Sequence, residues 1–285
     1  MRVPRSLLFV PGSRPDMVAK VPRWSPDAVA VDLEDAVAPA DKESARDAAV
    51  RAVADLPRDT GTLVLVRVNA PASPWYADDV AAVAGSAAHG VVLPKLESPE
   101  QLEDLRSRVD LPVIGGLETA RGVARCRDLV GGCLAVYFGA EDYIASLGGR
   151  RTAEGREVLY ARSEVVLAGA VAGVGVLDQA VVAARDEDAY RADAKVGRDL
   201  GYDGKICIHP SQVALAHEAF TPTDDEVAHA RAVIEAGRSG VGVLDGEMVD
   251  DVHLRMAAAV LSRAGRRSDR GSTPTGELDH QDGLE

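Results

Sequence analysis

Eight short apolar runs alternate with longer helical segments over most of this 285-residue chain. Several runs are apolar at consecutive positions, as is typical of parallel strands that helices cover on both faces of the sheet. The alternation therefore predicts an α/β fold, specifically a TIM (β/α)8 barrel, with a doubly wound open sheet as the alternative. The eight runs are Leu7–Pro11, Ala28–Asp32, Leu63–Asn69, Gly90–Lys95, Val113–Glu118, Leu134–Gly139, Val176–Val182 and Lys205–His209.

The segments between the runs have the apolar spacing of amphipathic helices. In Lys42–Leu56, for example, Ala49 and Val53 fall on one stripe that would face a core. Ser98 and Pro99 resemble an N-cap followed by a proline at the first helical position. The other helices predicted between the runs are Pro99–Arg108, Ala120–Val130, Glu157–Val171 and Asp186–Leu200.

After residue 209 the strand–helix alternation ends. We predict a barrel over residues 1–220, a C-terminal helical lid segment over 221–264 and a tail over 265–285. The tail is polar, with almost no large apolar residues, and is therefore expected to be disordered. The segments that follow the last run are predicted as helices, a glycine-containing loop and a final helix: Gln212–Phe220, Asp224–Gly237, Ser239–Gly246 and Val252–Arg263.

Charge, cysteine content and hydropathy exclude several classes of function. The net charge of −13 disfavours nucleic-acid binding, which depends on cationic side chains that neutralise phosphates. Cys126, Cys133 and Cys207 form no CxxC pair, and their odd number in a long chain predicts reduced, mostly buried thiols. No segment reaches the roughly 18–20 apolar residues that span a membrane. We therefore expect a cytoplasmic protein without nucleic-acid or membrane partners.

Carboxylates cluster at or just after the ends of the apolar runs. In a barrel these ends converge on one face, where like charges repel unless a cation lies among them. Oxygen ligands without a cysteine or a histidine pair favour Mg²⁺, or Mn²⁺, over Zn²⁺. Some of the carboxylates could instead be helix caps or solvated loop charges, which we favour for Asp35 and Glu141 but not for Glu118 and Asp142. The carboxylates are Asp32, Glu34, Asp35, Glu118, Glu141 and Asp142.

Three basic residues are candidates for anion binding. Arg67 ends the otherwise apolar run Leu63–Asn69, and an arginine cannot be buried there alone without great cost. It either contacts a carboxylate or oxyanion of a ligand, which we favour, or forms a structural ion pair. Lys95 is a second candidate, with a solvated or structural lysine as an equal alternative, and Arg14 is the weakest of the three.

These motifs, taken together, resemble the citrate lyase β-subunit-like family of the HpcH/HpaI aldolase/citrate lyase superfamily. The resemblance extends from Arg5 to about Ser262, and the ordered series makes a chance match very improbable. The matching segments are Leu8–Pro15, Asp32–Val37, Arg67–Asn69, Leu93–Lys95, Leu117–Ala120, Tyr137–Asp142, Cys207–Gln212 and Gly246–Asp250.

The resemblance implies a TIM barrel, a Mg²⁺ cofactor, a CoA or acyl-carrier thioester substrate and a homo-oligomer, commonly a trimer. It implies that Glu118 and Asp142 bind the metal and that Arg67 binds the substrate. It also implies that Asp250 is an acid/base which is supplied to the barrel of a neighbouring subunit. Asp251 follows directly, where relatives often have another residue, and Asp245 is a weaker candidate for this role.

The implied reaction joins or separates an α-keto acid and an acyl thioester. Substrates in the family include malyl-CoA, methylmalyl-type CoA esters, citramalyl-CoA and citryl-acyl-carrier protein, and some members condense and then hydrolyse. The segment Gly246–Asp250 favours a stand-alone CoA lyase that gives acetyl-CoA and an α-keto acid. The alternatives are a citrate lyase β subunit that yields oxaloacetate and a non-catalytic acyl-CoA-binding homologue.

Overall fold

Eight parallel strands close into a barrel in the computed structural model, which describes residues 2–58, 60–237, 242–244 and 247–265. The barrel closes because β1 pairs with β8 as well as with β2, and the prediction of a TIM barrel is thereby confirmed. The strands are β1 (Ser6–Pro11), β2 (Ala28–Asp32), β3 (Leu63–Arg67), β4 (Gly90–Leu93), β5 (Val113–Leu117), β6 (Ala135–Phe138), β7 (Gly175–Asp178) and β8 (Gly204–Cys207).

The helices of the barrel unit surround the strands and continue to Phe220, where this unit ends. Short 3-10 turns occupy Val21–Arg23 and Pro39–Asp41. The helices are α1 (Pro15–Val18), α2 (Lys42–Asp55), α3 (Tyr76–Ala84), α4 (Pro99–Arg108), α5 (Ala120–Ala124), α6 (Cys126–Leu129), α7 (Ala140–Ser146), α8 (Arg156–Ala172), α9 (Glu187–Leu200) and α10 (Ser211–Phe220).

Two predicted elements of the barrel differ most from the structure. The seventh strand ends at Asp178 rather than Val182, and the buried Asp178 carboxylate pairs with Arg162 and Lys205. The single helix predicted over Ala120–Val130 is instead two short helices, α5 and α6, because Arg125 leaves helical dihedral angles at φ −113° and ψ 10°.

Successive side chains along each strand point to opposite faces, which creates two separate apolar layers. Leu8 and Val10 of β1 belong to the larger core, whereas Leu7 belongs to a smaller cluster with the alternate residues of other strands. Strand side chains point to opposite faces with a period of two, so this smaller cluster fills the barrel interior. The same parity directs Asp32 and Arg67, at the carboxyl ends of β2 and β3, toward the barrel interior.

The second unit begins at Thr221 and has its own small core. Helices α11 (Asp224–Ala236) and α12 (Asp251–Ala264) pack together, and β9 (Gly242–Leu244) pairs with β10 (Glu247–Val249) in a two-stranded antiparallel sheet. The loop predicted over 239–246 was therefore wrong where β9 lies. The predicted tail lies outside the described residues, apart from Gly265. No helix in the described part of the chain is long and apolar enough to cross a membrane.

Candidate active site

A cavity of about 420 Å³ opens at the carboxyl ends of the barrel strands. Active sites of TIM barrels form at this face, because the strand ends and the loops after them converge there. One wall is rich in charge and the other is apolar, so the cavity can hold a ligand that has both polar and apolar parts. The apolar wall consists of Ala180, Val182, Ile206 and Ile208, which lie at or after the ends of β7 and β8.

Arg67 is the central cation of the charged wall. Its guanidinium makes a two-point ion pair with Asp32, at 2.7 Å from Nε and 2.6 Å from Nη2. It lies 4.8 Å from the centroid of the Phe9 ring, a cation–π contact that fixes its plane. Arg67 therefore forms the structural ion pair that the sequence left as an alternative, and it also lines the cavity where a ligand would lie.

Glu34 lies between two cations, although it is almost fully buried. Lys95 Nζ donates to Glu34 Oε1 at 2.6 Å, and Arg67 Nη1 lies 3.1 Å from Oε2. Oε2 nevertheless has no partner with hydrogen-bond geometry among the described residues. Burial raises the pKa of Glu34 to about 7; Arg67 opposes this rise and the charge of Glu118 adds to it.

Glu118 is held by two donors deep in the cavity. Its Oε1 accepts the backbone N–H of Lys95 at 2.7 Å, and its Oε2 accepts the Tyr137 hydroxyl at 3.0 Å. Burial raises the pKa of Glu118, and the nearby charge of Asp142 contributes to the rise. Glycine is required at Gly139, where a Cβ would collide with the Glu118 side chain, and at Gly116, where it would collide with Tyr137.

The first turn of α7 brings Glu141 and Asp142 to the cavity. Asp142 Oδ2 lies 3.5 Å from Lys95 Nζ, and Glu141 pairs with Arg151 at 2.7 Å. Arg151 and Tyr137 also line the cavity, although neither was predicted from the sequence as a site residue. Tyr137 occupies a barrel-facing position of β6, and strand parity could have indicated it; Arg151 comes from the connection between α7 and α8 and carried no such signal.

Two of the predicted residues, Arg14 and Asp250, are not among the residues that line this cavity. Arg14 is more than half exposed, pairs with Asp16 and does not line the cavity. Asp250 belongs to the second unit, where its Oδ1 caps α12 by accepting the backbone N–H of Val252 at 2.9 Å. Its side chain is 42% exposed and also contacts His253 Nδ1 at 2.7 Å. The remaining predicted carboxylate, Asp35, lines the cavity and is exposed.

A buried lysine that was not predicted as a site residue lies beneath the charged wall. Lys42 Nζ donates to the backbone carbonyls of Leu33 and Glu34 at 2.8 and 2.7 Å. These bonds fix the segment that follows β2, which carries Glu34 and Asp35 to the cavity. Asn69 Nδ2 also donates to the Leu33 carbonyl, so this segment is held from two sides.

The donor set fits a hard divalent cation. Five carboxylates share this wall with three cations, which leaves two negative charges when all five are ionised. No cluster of three or more potential ligand side chains is found among the described residues, so Glu118 and Asp142 would act as a pair. Mg²⁺ commonly binds through one or two carboxylates and keeps water or substrate at its other positions. The counted groups are Asp32, Glu34, Asp35, Glu118 and Asp142 against Lys42, Arg67 and Lys95.

The raised pKa of Glu34 predicts how pH affects stability. A carboxyl whose pKa is raised by folding stabilises the folded state at low pH and loses that contribution as pH rises through about 7. From a usual pKa near 4.3, the loss is on the order of 3 kcal/mol in the free energy of unfolding. With EDTA present, Glu34→Gln should therefore gain stability relative to the unchanged protein by about this amount between pH 5 and 8.

Denaturant unfolding at several pH values measures this difference. Glu43→Gln, on the exposed face of α2, is the matched control and should follow the unchanged protein at every pH. A Glu34→Gln curve that stays parallel to that of the unchanged protein would show that Glu34 ionises normally.

Several known proteins are similar to this chain in sequence. The model of the HpcH/HpaI aldolase/citrate lyase family matches residues 5–210. A citrate lyase subunit beta-like protein of Deinococcus radiodurans is 46% identical over 274 residues, covering 90% of this chain and 96% of that protein. A (3S)-malyl-CoA thioesterase of Cereibacter sphaeroides is 34% identical over 270 residues, covering 91% and 94%.

A solved structure is similar over almost the whole chain. It is the protein CitE from Mycobacterium tuberculosis in complex with magnesium, acetoacetate and coenzyme A. The TM-score is 0.81 at 36% sequence identity, and the match covers 92% of this chain and 98% of that one. The likeness therefore includes residues beyond the barrel.

Proposed function

The chain belongs to the HpcH/HpaI aldolase/citrate lyase family and is a Mg²⁺-dependent lyase, and we propose that its substrate is a 3-hydroxyacyl-CoA thioester of the malyl-CoA or citramalyl-CoA type. Cleavage would give acetyl-CoA and an α-keto acid, and the reverse reaction would be a condensation. The observation that carries this proposal is the two-sided cavity, in which Arg67, Glu118 and Asp142 face an apolar wall.

The proposed reaction requires both stabilisation of negative charge and exclusion of water, which the charged wall and the apolar wall of the cavity would provide. In the cleavage direction the substrate hydroxyl gives up its proton, a carbon–carbon bond breaks to release an α-keto acid, and the α-carbon of the remaining thioester takes up a proton. Bound Mg²⁺ would supply Lewis-acid stabilisation of negative charge on the substrate oxygens. The apolar wall would bury the acyl portion and exclude water from the reacting carbon.

The side chains of this chain would then have separate tasks. Arg67 would donate to a substrate carboxylate or to the oxygen that gains charge, in an orientation fixed by Asp32 and Phe9. Glu118 and Asp142 would hold the metal, with Tyr137 and the Lys95 backbone fixing Glu118. A rigid site of this kind needs little rearrangement as charge develops.

We assign the proton transfer at the α-carbon of the thioester to Asp250. We propose that residues 221–264 form a lid that serves the barrel of a neighbouring subunit in a homo-oligomer, most simply a trimer. The contact with His253 lowers the pKa of Asp250, which favours its ionised form, the form that a base requires in the condensation direction.

A citrate lyase β subunit that acts on a citryl-acyl-carrier thioester is the second candidate. It is favoured by the name of the Deinococcus radiodurans relative, whereas coenzyme A in the Mycobacterium tuberculosis structure favours a CoA thioester. A non-catalytic acyl-CoA-binding role is disfavoured because Arg67, Glu118, Asp142 and Asp250 are all present.

The proposal is tested by measuring turnover of several hydroxyacyl thioesters, one at a time. The purified protein with Mg²⁺ should release an α-keto acid from malyl-CoA, citramalyl-CoA or a close analogue. A coupled dehydrogenase assay measures the amount of keto acid released. Release only from a citryl-acyl-carrier thioester would favour the second candidate. Binding of CoA esters without turnover of any of these thioesters would favour the non-catalytic role.

Arg67→Lys is expected to lower kcat/KM by on the order of a hundredfold, or about 2.7 kcal/mol of transition-state stabilisation. Lysine keeps the charge but cannot bind Asp32 at two points and contact a substrate oxygen together. Steady-state kinetics measure the loss, and thermal unfolding checks that the variant is folded. Near-normal kinetics in a folded variant would contradict the proposed role of Arg67.

A further inference from the structure

Lys95 occupies an unusual position within the charged wall. Its ammonium contacts Glu34 at 2.6 Å and lies 3.5 Å from both Asp35 and Asp142. Its backbone has φ +49°, in the left-handed region that non-glycine residues rarely adopt. That conformation directs the Lys95 backbone N–H to Glu118, so one residue contacts both carboxylates assigned to the metal.

The ammonium of Lys95 lies among three carboxylates, of which Glu34 is the nearest. Asp142 makes its one ion pair with Lys95 among the described residues. A metal that binds Asp142 must therefore share that carboxylate with Lys95 or displace it.

We propose that Lys95 is a counter-ion that competes with Mg²⁺ for Asp142 and thereby weakens the affinity of the metal site. The inference rests on the proposed assignment of Glu118 and Asp142 as metal ligands. When the metal binds, the ammonium gives up Asp142 and stays with Glu34, its nearest partner at 2.6 Å.

The direction in which Mg²⁺ affinity changes when the Lys95 charge is removed distinguishes the proposal from other roles of Lys95. A positive charge close to a bound divalent cation opposes its binding by Coulomb repulsion, so loss of that charge should tighten Mg²⁺ binding. If Lys95 only contacted a substrate anion, its removal would leave Mg²⁺ affinity unchanged. If it organised the carboxylates for the metal, its removal would weaken Mg²⁺ binding.

Lys95→Met is the informative variant. It removes the charge, keeps the length of the side chain and bears the same backbone strain, since methionine is no better suited to positive φ than lysine. Calorimetry at pH 8 should show Mg²⁺ binding at least roughly tenfold tighter than in the unchanged protein. The rise in Tm on addition of Mg²⁺ to the EDTA-treated protein should also be larger.

Two further variants provide the controls. Lys95→Arg keeps the charge and should hold Mg²⁺ affinity within about threefold. Lys195→Met removes an equivalent ion pair with Asp199 on the exposed face of α9 and should leave Mg²⁺ affinity unchanged.

Unchanged or weaker Mg²⁺ binding by folded Lys95→Met would overturn the proposal. Asp142→Asn, measured in the same series, separates this outcome from failure of the metal assignment itself. If Asp142→Asn binds Mg²⁺ normally, the proposed site is wrong. If Asp142→Asn loses Mg²⁺ while Lys95→Met gains nothing, the site is right and only the counter-ion role fails.

Discussion

Replacement of Glu118 by Gln, or of Asp142 by Asn, should weaken Mg²⁺ binding at least about a hundredfold and abolish measurable turnover. Changes to groups that merely orient a metal ligand already cost 10–100-fold in affinity, and loss of a charged ligand should cost more. The amides keep the shape of each side chain, and in Glu118→Gln the amide oxygen can still accept the backbone N–H of Lys95. Calorimetry with MgCl₂ and the α-keto acid release assay measure the two effects.

The Glu118→Gln variant also has an expected effect on stability. Because ionised Glu118 is costly to bury, Glu118→Gln should be as stable as the unchanged protein, or more stable, when EDTA is present. Glu103→Gln, on the exposed side of α4, is the control and should retain both Mg²⁺ affinity and turnover. Unchanged Mg²⁺ affinity in both variants would rule out these residues as the metal ligands.

The barrel could be predicted from the sequence because its strands are short, apolar at consecutive positions and regularly separated by helical segments. The charged wall could also be predicted from the strand ends, because Asp32, Arg67 and Glu118 all lie at or directly after the end of a strand. A period of two then places these side chains on the interior face. The three-residue strands β9 and β10 were missed because such short segments carry little periodic signal.

Other parts of the site depend on contacts that no local pattern encodes. In the sequence Lys42 has no feature that distinguishes it from an exposed lysine at the start of a helix. In the structure its ammonium is buried beneath the loop after β2. Arg151 reaches the cavity because Gln179 and Glu141 hold its guanidinium, and these partners are distant in the chain. For Arg67 the sequence left a ligand contact and an ion pair as alternatives, and the tertiary structure allows both.

Asp250→Asn should lower kcat by on the order of a hundredfold or more and leave Mg²⁺ affinity nearly unchanged. Asparagine is as good an N-cap as aspartate, so α12 should keep its first turn and the loss should reflect proton transfer alone. Asp251→Asn is the matched control, because this neighbouring carboxylate is exposed and should leave kcat near normal. Normal turnover by Asp250→Asn would remove Asp250 from the mechanism.

If Asp250 acts in the barrel of a neighbouring subunit, two inactive variants should restore activity to each other in mixed oligomers. An inactive Asp250→Asn protein mixed with an inactive Glu118→Ala protein should regain partial activity, because some mixed oligomers pair an intact barrel with an intact lid. Native mass spectrometry of tagged subunits establishes that exchange has occurred. If mixed oligomers form from folded parents and no activity returns, Asp250 acts within its own chain or is not the acid/base.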